Sequence, residues 1–382
     1  MANEKRITDL FLKLVSFDSE SYHEQEIGSY LTAKLKALGL QVDIRHTTEK
    51  AYLKSHPDSY PNIYACLKGT LPGTILFSAH LDTVSPGQGK KARITRDGFI
   101  TSEGDTVLGA DDISGLVAII EALSMIRESK AQHPDLEILF TVSEEPFCEG
   151  SHYFNYDLLH ADIGYVLDLT GEIGTAALRA PAILTFKAVV CGKASHAGFA
   201  PEEGINALKA AADAITHIKT GRIDSHTTVN IGTIVGGTAN NIVPDLVTLT
   251  GEIRSTDHER ALMKAREIGK ILTDYTVKSK VELKYDVTEH IKAYQISPKD
   301  AVTERFKRAC RKASIREATV TTFGGSDANR FNEAGIATIV TACGMERVHS
   351  TGEYTYIKDL VRSAELTFQL MTIQDSFKTS IE

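Results

Sequence analysis

Seven residues, in order His80, Asp82, Asp111, Glu144, Glu145, Asp168 and His349, carry the donor types of a metal centre, spread over most of a 382-residue chain. Each stands at the end of an apolar, strand-like run or at the start of a helix. Neutral imidazole and carboxylate suit zinc, cobalt or manganese, and a carboxylate shared by two such cations lets them sit ~3.5–4 Å apart. Two cations at that spacing polarise a carbonyl oxygen and lower the pKa of a water between them. The chemistry to expect is hydrolysis.

His80-Leu81-Asp82 closes the run TILFSAHLDTV. Residues i and i+2 of a strand point to one side, so the pair can converge at its carboxyl end, the edge where open α/β sheets gather their sites. A carboxylate often orients a ligating imidazole. Alone, the tripeptide fits a surface loop equally well. Gly109-Ala110-Asp111-Asp112 opens a long helix, where capping and the helix dipole already favour acidic residues. One carboxylate suffices for a cap, which leaves Asp111 free to bridge two cations. Ser143-Glu144-Glu145-Pro146 follows the apolar run LEILFTV. Adjacent carboxylates there repel unless a cation or a shared proton offsets the cost, so one can ligate while the other takes a proton from water. Asp168 in IGYVLDLTG and His349 in MERVHSTGEY each read singly as structural. As a set at separate strand and helix ends, they do not.

An α/β domain must position them. Ile7, Leu10, Phe11 and Leu14 recur at helical spacing, and Ser21 with Glu24 forms a capping-box pattern ahead of Ile27, Leu31, Leu35 and Leu38, with Gly39 closing that helix. Strand-like runs follow at Asn62–Leu67, Thr74–Ala79, Leu136–Val142 and Ile163–Leu167. Between them Asp111–Ser129 reads as an amphipathic helix. Ile-, Leu- and Val-rich strands alternating with helices imply a sheet covered on both faces.

From about Pro181 the texture changes. The spacing predicts strands at Leu184–Cys191, Thr227–Val235, Leu246–Arg254 and Val281–Val287, with helices at Gly204–Ile218 and Asp257–Thr273. That is β-α-β-β-α-β, a ferredoxin-like α+β arrangement. A helix at Ala301–Ala313, a strand at Ile336–Thr341 and a helix near Lys358–Gln374 then resume the first pattern. The expected organisation is a discontinuous metal-binding domain, residues 1–180 and 292–382, with a lid or dimerisation domain at 181–291 inserted.

Composition narrows the function. A formal net charge of -8 argues against nucleic-acid binding, which draws on Lys and Arg. No apolar run approaches the ~20 residues of a membrane span. Five cysteines without a C-x-x-C pair, and an N-terminus lacking a signal-peptide core, point to the cytoplasm rather than a disulfide framework.

In order, the elements HLDTV, LGADD, SEEP, VLD and VHS resemble those of the co-catalytic zinc metallopeptidases that include peptidase T, glutamate carboxypeptidase, aminoacylase and acetylornithine deacetylase. The resemblance runs from about residue 5 to 375 and is greatest to the peptidase T-like branch. It implies that Asp111 bridges two metals, that His80 and Asp168 complete one site, and that Glu145 and His349 complete the other. Glu144 would be the general base and Asp82 would orient His80. In the inserted domain His196, within SHAG, is similar to a histidine that steadies the oxyanion, reaching another subunit's site in dimeric members. Asn240, Arg254 and Gly324 look like substrate-holding positions, and Arg suits bidentate binding of a terminal carboxylate. An arginine on a strand is also often a plain ion pair. Ile113 departs from the pattern, since many members carry Lys there.

The expected function is a two-metal tripeptide aminopeptidase acting on small peptides, possessing zinc by preference and pairing with a second copy through its lid. An N-acyl amino-acid deacylase or a carboxypeptidase would use the same metals. A non-catalytic binding protein would not need Glu144.

Overall fold

The structure is a computed structural model. Residues 1–374 are described; 375–382, the end of the 292–382 segment, lie outside the described residues. The chain forms two compact units. One comprises Met1–Arg179, Gln295–Thr322 and the residues from Ser326 onward; the other comprises Ala180–Tyr294 and Phe323–Gly325.

The first unit begins with helix α1 (Glu4–Val15), which Asn3 caps through the Arg6 amide and which buries Ile7, Leu10, Phe11 and Leu14. Helix α2 (Gln25–Ala37) follows, then strands β1 (Gln41–Asp43), β2 (Ile63–Leu67) and β3 (Thr74–His80). Helix α3 (Ala110–Ser129) leads into β4 (Asp135–Thr141), β5 (Ile163–Leu169) and β6 (Thr175–Ala180). In the second unit come β7 (Ala182–Cys191), α4 (Ala207–Ile215), β8 (Thr227–Gly236), β9 (Leu246–Ser255), α5 (His258–Lys278) and β10 (Glu282–Ile291). The chain then returns with α6 (Ala301–Lys312), α7 (Asp327–Glu333), β11 (Ala337–Ala342) and α8 (Ile357–Thr372).

The first unit's sheet runs β1-β2-β4-β3-β5-β11-β6. Its centre, β4-β3-β5-β11, is parallel, whereas β1, β2 and β6 join antiparallel. Four neighbouring strands therefore end on one edge. β3 is buried from Ile75 to His80 on both faces, as a central parallel strand must be.

Two local readings are corrected. Helix α3 is buried on every side from Ala110 to Met125, because α1, α8 and the sheet all pack on it. Its mid-helix charge, Glu121, accepts two bonds from the Arg6 guanidinium (2.6 and 2.8 Å) and one from the Asn3 amide. The capping box does not form either. Helix α2 starts at Gln25 with Glu24 as its N-cap residue and no side-chain cap; Ser21 and Glu24 bond elsewhere, as shown below.

In the second unit the antiparallel order is β8-β9-β7-β10, with Gly221–Arg222 beside only the start of β8. Ala207, Ala210, Ala211 and Ala214 of α4 and Ala261, Ala265, Ile268 and Leu272 of α5 pack with Phe186, Val190, Leu249 and Ile253 in a core of their own. No helix of the described residues is long and apolar enough to cross a membrane.

Candidate metal centre

The parallel strands deliver the acidic and imidazole side chains to one edge. His80 is the last residue of β3, Glu144 and Glu145 follow β4, Asp168 lies near the end of β5, and His349 follows β11. Asp111 is contributed by the entry to α3, where Asp111 and Asp112 depart from helical backbone angles. Asp112 is the residue that caps: its Oδ1 accepts from the Gly115 amide (3.1 Å) and its Oδ2 from the His80 amide (3.2 Å). Glycine at 115 is required, since a Cβ would stand 2.4 Å from the Leu167 carbonyl and 2.5 Å from Asp112 Oδ1.

Asp111 is thereby released to face two imidazoles. Its Oδ1 is 3.0 Å from His80 Nε2 and its Oδ2 is 3.3 Å from His349 Nε2. His349 Nε2 is also 3.0 Å from Glu145 Oε2. Two groups result, each with ligand atoms mutually within 4.8 Å: His80, Asp111 and Asp168, and Asp111, Glu145 and His349. Asp111 belongs to both.

A further layer of hydrogen bonds fixes these residues. His80 Nδ1 meets the Asp82 main-chain carbonyl at 2.9 Å and the Asp82 carboxylate at 3.4 Å. That carboxylate accepts from the amides of Glu144 (2.9 Å) and Glu145 (3.2 Å) and from the Ser21 hydroxyl (2.7 Å). Glu24 Oε1 receives the Ser143 amide (3.0 Å) and hydroxyl (2.9 Å). Glu353 clamps the opposite side, its carboxylate accepting from the Gly109 (2.7 Å) and Asp111 (2.9 Å) amides. Sequence reasoning assigned Ser21 and Glu24 to a cap and passed over Glu353. The signal for the last was its place four residues after His349 in HSTGEY.

The electrostatics of the cluster are unbalanced. Burial pushes the Glu144 carboxyl well above its usual range, helped by Asp327, Glu145 and Asp82 and opposed by His80. Burial, then Asp111 and Glu144, raise Asp168 likewise. Burial disfavours charge on His80, yet Asp111 and Asp82 outweigh it and hold the imidazole pKa well up. Asp111 and Glu145 lift His349 to about 10. Glu145 Oε1 is buried with no hydrogen-bond partner. Acidic groups outnumber basic ones here, and an orphaned buried carboxylate oxygen is costly without a cation. The residues present therefore fit a divalent metal pair.

The remaining sequence-derived positions lie in the second unit. His196 is exposed; its Nδ1 accepts from the Gly198 and Phe199 amides (3.1 Å each), which assigns the proton to Nε2. Asn240 lines a cleft of about 530 Å³ with Ala197, Asn206, Ile242 and Pro244. Arg254 is engaged by Glu252 through two bonds (2.6 and 3.0 Å) and donates to the Phe323 carbonyl (2.9 Å), beside the exposed Gly324.

The fold is similar to that of known proteins. The peptidase dimerisation domain of the M20 group matches residues 181–280, and peptidase family M28 matches 62–188. The chain belongs to the M20 family of peptidases, in its peptidase T-like branch. It is 35% identical to the uncharacterized protein YqjE of Bacillus subtilis, over 97% of this chain and 99% of that one. A crystal structure of a tripeptidase from Staphylococcus aureus superposes with a TM-score of 0.92 at 33% identity, covering 97% of this chain and 98% of the other. The aminopeptidase PepT of Bacillus cereus gives 0.88 at 34% identity, with the same coverage.

Proposed function

We propose that this peptidase removes the N-terminal residue of short peptides, tripeptides above all, with two divalent metals. The observation that carries the reading is Asp111, whose two oxygens face histidines of two different ligand groups. His80, Asp111 and Asp168 would hold one ion, and Asp111, Glu145 and His349 the other. Zinc suits this donor set, and cobalt and manganese would also be accepted. When bound, the pair would supply Lewis acidity toward the scissile carbonyl and a lowered pKa for water.

The chain's own side chains do the rest. Glu144 accepts a proton from the attacking water and passes it to the leaving amine; its burial keeps the carboxyl basic enough for both steps. Asp82 sets the Glu144-Glu145 turn through the two amides and orients His80. His196 offers its Nε2–H to the oxyanion. Asn240 and Gly324 contact the peptide, and Arg254 receives its terminal carboxylate in competition with Glu252. The similarity to a tripeptidase and an aminopeptidase supports this substrate class. A second copy would pair at the outer edge of β8, where Ile234 and Val235 are 47% and 69% exposed. The cytoplasm is the proposed compartment.

Elemental analysis of metal-loaded protein should find two ions per chain, and chelation should abolish turnover. A panel of tri- and dipeptides, their N-acetyl forms and their C-terminal amides then tests the substrate. Free N-termini should be required and acids preferred to amides. Cleavage of N-acyl amino acids instead would transfer the assignment to a deacylase.

A further inference from the structure

The loop after β4 returns to Glu144 twice. The Cys148 amide donates to the Glu144 carbonyl (2.6 Å), and the Cys148 Sγ lies 3.2 Å from Glu144 Oε1. The thiol is buried at 1% exposure. Its backbone is anchored on the other side as well, the Cys148 carbonyl accepting from the His152 amide (3.0 Å). Cys148 has φ 59°, in the left-handed region where a side chain is disfavoured and glycine would be the relaxed choice. Gly150 lets the loop fold back, since a Cβ there would stand 1.8 Å from the Val142 carbonyl. Behind the thiol, Asp327 is tied down by the hydroxyls of Thr141 and Ser151, at 2.5 Å each. The Sγ therefore has a fixed position, and Glu144 Oε1 is its acceptor.

From this geometry we infer that Cys148 is a positioning residue for the general base: its S–H donates to Glu144 Oε1 and holds the carboxylate in one rotamer, with the second oxygen directed to water. The inference rests on Glu144 being the base. Burial, reinforced by the neighbouring Glu144 and Asp327, keeps the thiol protonated, so it acts as a donor. A thiol donates weakly, and a weak donor orients a carboxylate without strongly favouring its ionised form, which leaves it able to accept a proton. Orientation of this kind acts on turnover rather than on substrate affinity.

The test measures kcat and KM on tri-alanine for metal-loaded wild type, Cys148→Ser and Cys148→Ala, with Glu144→Gln as reference. Misplacing a reacting group by about an ångström costs on the order of 10²-fold, so Cys148→Ala should lose ~10- to 100-fold in kcat at unchanged KM. Cys148→Ser, still a donor, should restore part of that loss. Equal kcat in the Ser and Ala variants, or a loss confined to KM, would overturn the proposal. A second readout needs no activity. The S–H stretching band of Cys148, isolated as the infrared difference between metal-free wild type and Cys148→Ala, should lie at a hydrogen-bonded position and move to that of a free thiol in Glu144→Ala. A band indifferent to Glu144 removes the hydrogen bond and the proposal with it. A shifted band combined with an active Glu144→Gln would instead reject Glu144 as base while leaving the contact intact.

Discussion

Around Asp111 the ionisable side chains are buried or half-buried, His349 excepted, and most are held by a further donor or acceptor. Around His196 and Arg254 they stand at or near the surface, held by one or two contacts each. The first region is built on the ends of four adjacent parallel strands, covered on both faces, so its buried charges have little water to fall back on and must be paired. The second is an antiparallel sheet with helices on one face, where alternate residues remain accessible. The contrast teaches where single substitutions should be felt: sharply and in chemistry within the first unit, mildly and in association or affinity within the second.

The largest expected effect divides two neighbours in the first region. Glu144→Gln keeps the shape and removes the basicity, so kcat should fall by roughly 10²–10⁴-fold with metal content retained. Glu145→Gln should instead lower the metal content. Exchange of the two phenotypes in side-by-side kinetics and elemental analysis would reverse their roles.

An intermediate effect concerns stability and pH. Burial, then the charge of Asp82, raise the Glu24 carboxyl from 4.5 to about 7. The folded protein thus holds this proton more tightly than the unfolded chain does. The associated stabilisation is complete below pH 4.5 and is lost as pH rises through about 7, by at most on the order of 3 kcal/mol. In Glu24→Gln this falling component should vanish, so the gap in unfolding free energy between the two proteins should narrow from pH 4.5 to 7. Denaturant titrations at several pH values, with parallel curves for the two proteins, would show that Glu24 has no such role.

The smallest effect is sought in the second region. Val235→Lys places a charge on the open edge of β8, and its cost in stability should stay within about 0.5 kcal/mol. If that edge joins two copies, sedimentation should nevertheless show a shift toward monomer. An unchanged oligomer would assign the contact to another surface.

Much of this contrast was legible in the sequence. The apolar runs before His80, Glu144 and Asp168 marked strand ends because buried parallel strands leave little room for polar residues. The six elements of the second unit appeared in their observed order, two of them ending short, at Thr273 and Val287 rather than at Lys278 and Ile291, since half-exposed strands and helices show clean periods. The paired aspartates also permitted one cap and one free carboxylate, and Asp112 is the cap. What stayed hidden acts through the main chain of distant segments. Ser21 and Glu24 fit a local capping box equally well, and only the approach of the Asp82 and Ser143 segments decides against it. Glu353 bonds amides at 109 and 111, more than 240 residues away, and such a partnership leaves no local period. Helix α3 looked one-sided because the alanines and glycine on its other face are small, yet packing closes over them too.

Asp111, with one oxygen toward residue 80 and the other toward residue 349, also sets a timetable. On a growing chain, His80, Asp111 and Asp168 are all available once β5 has been made. His349 comes only after the entire second unit and the segments beyond it. Domains generally fold as units in the order of synthesis, N-terminal parts first. A chain that ends before residue 349 would then complete the group of His80, Asp111 and Asp168 but not that of Asp111, Glu145 and His349. Under the proposed two-metal function, a chain that stops short of residue 349 would then be inactive.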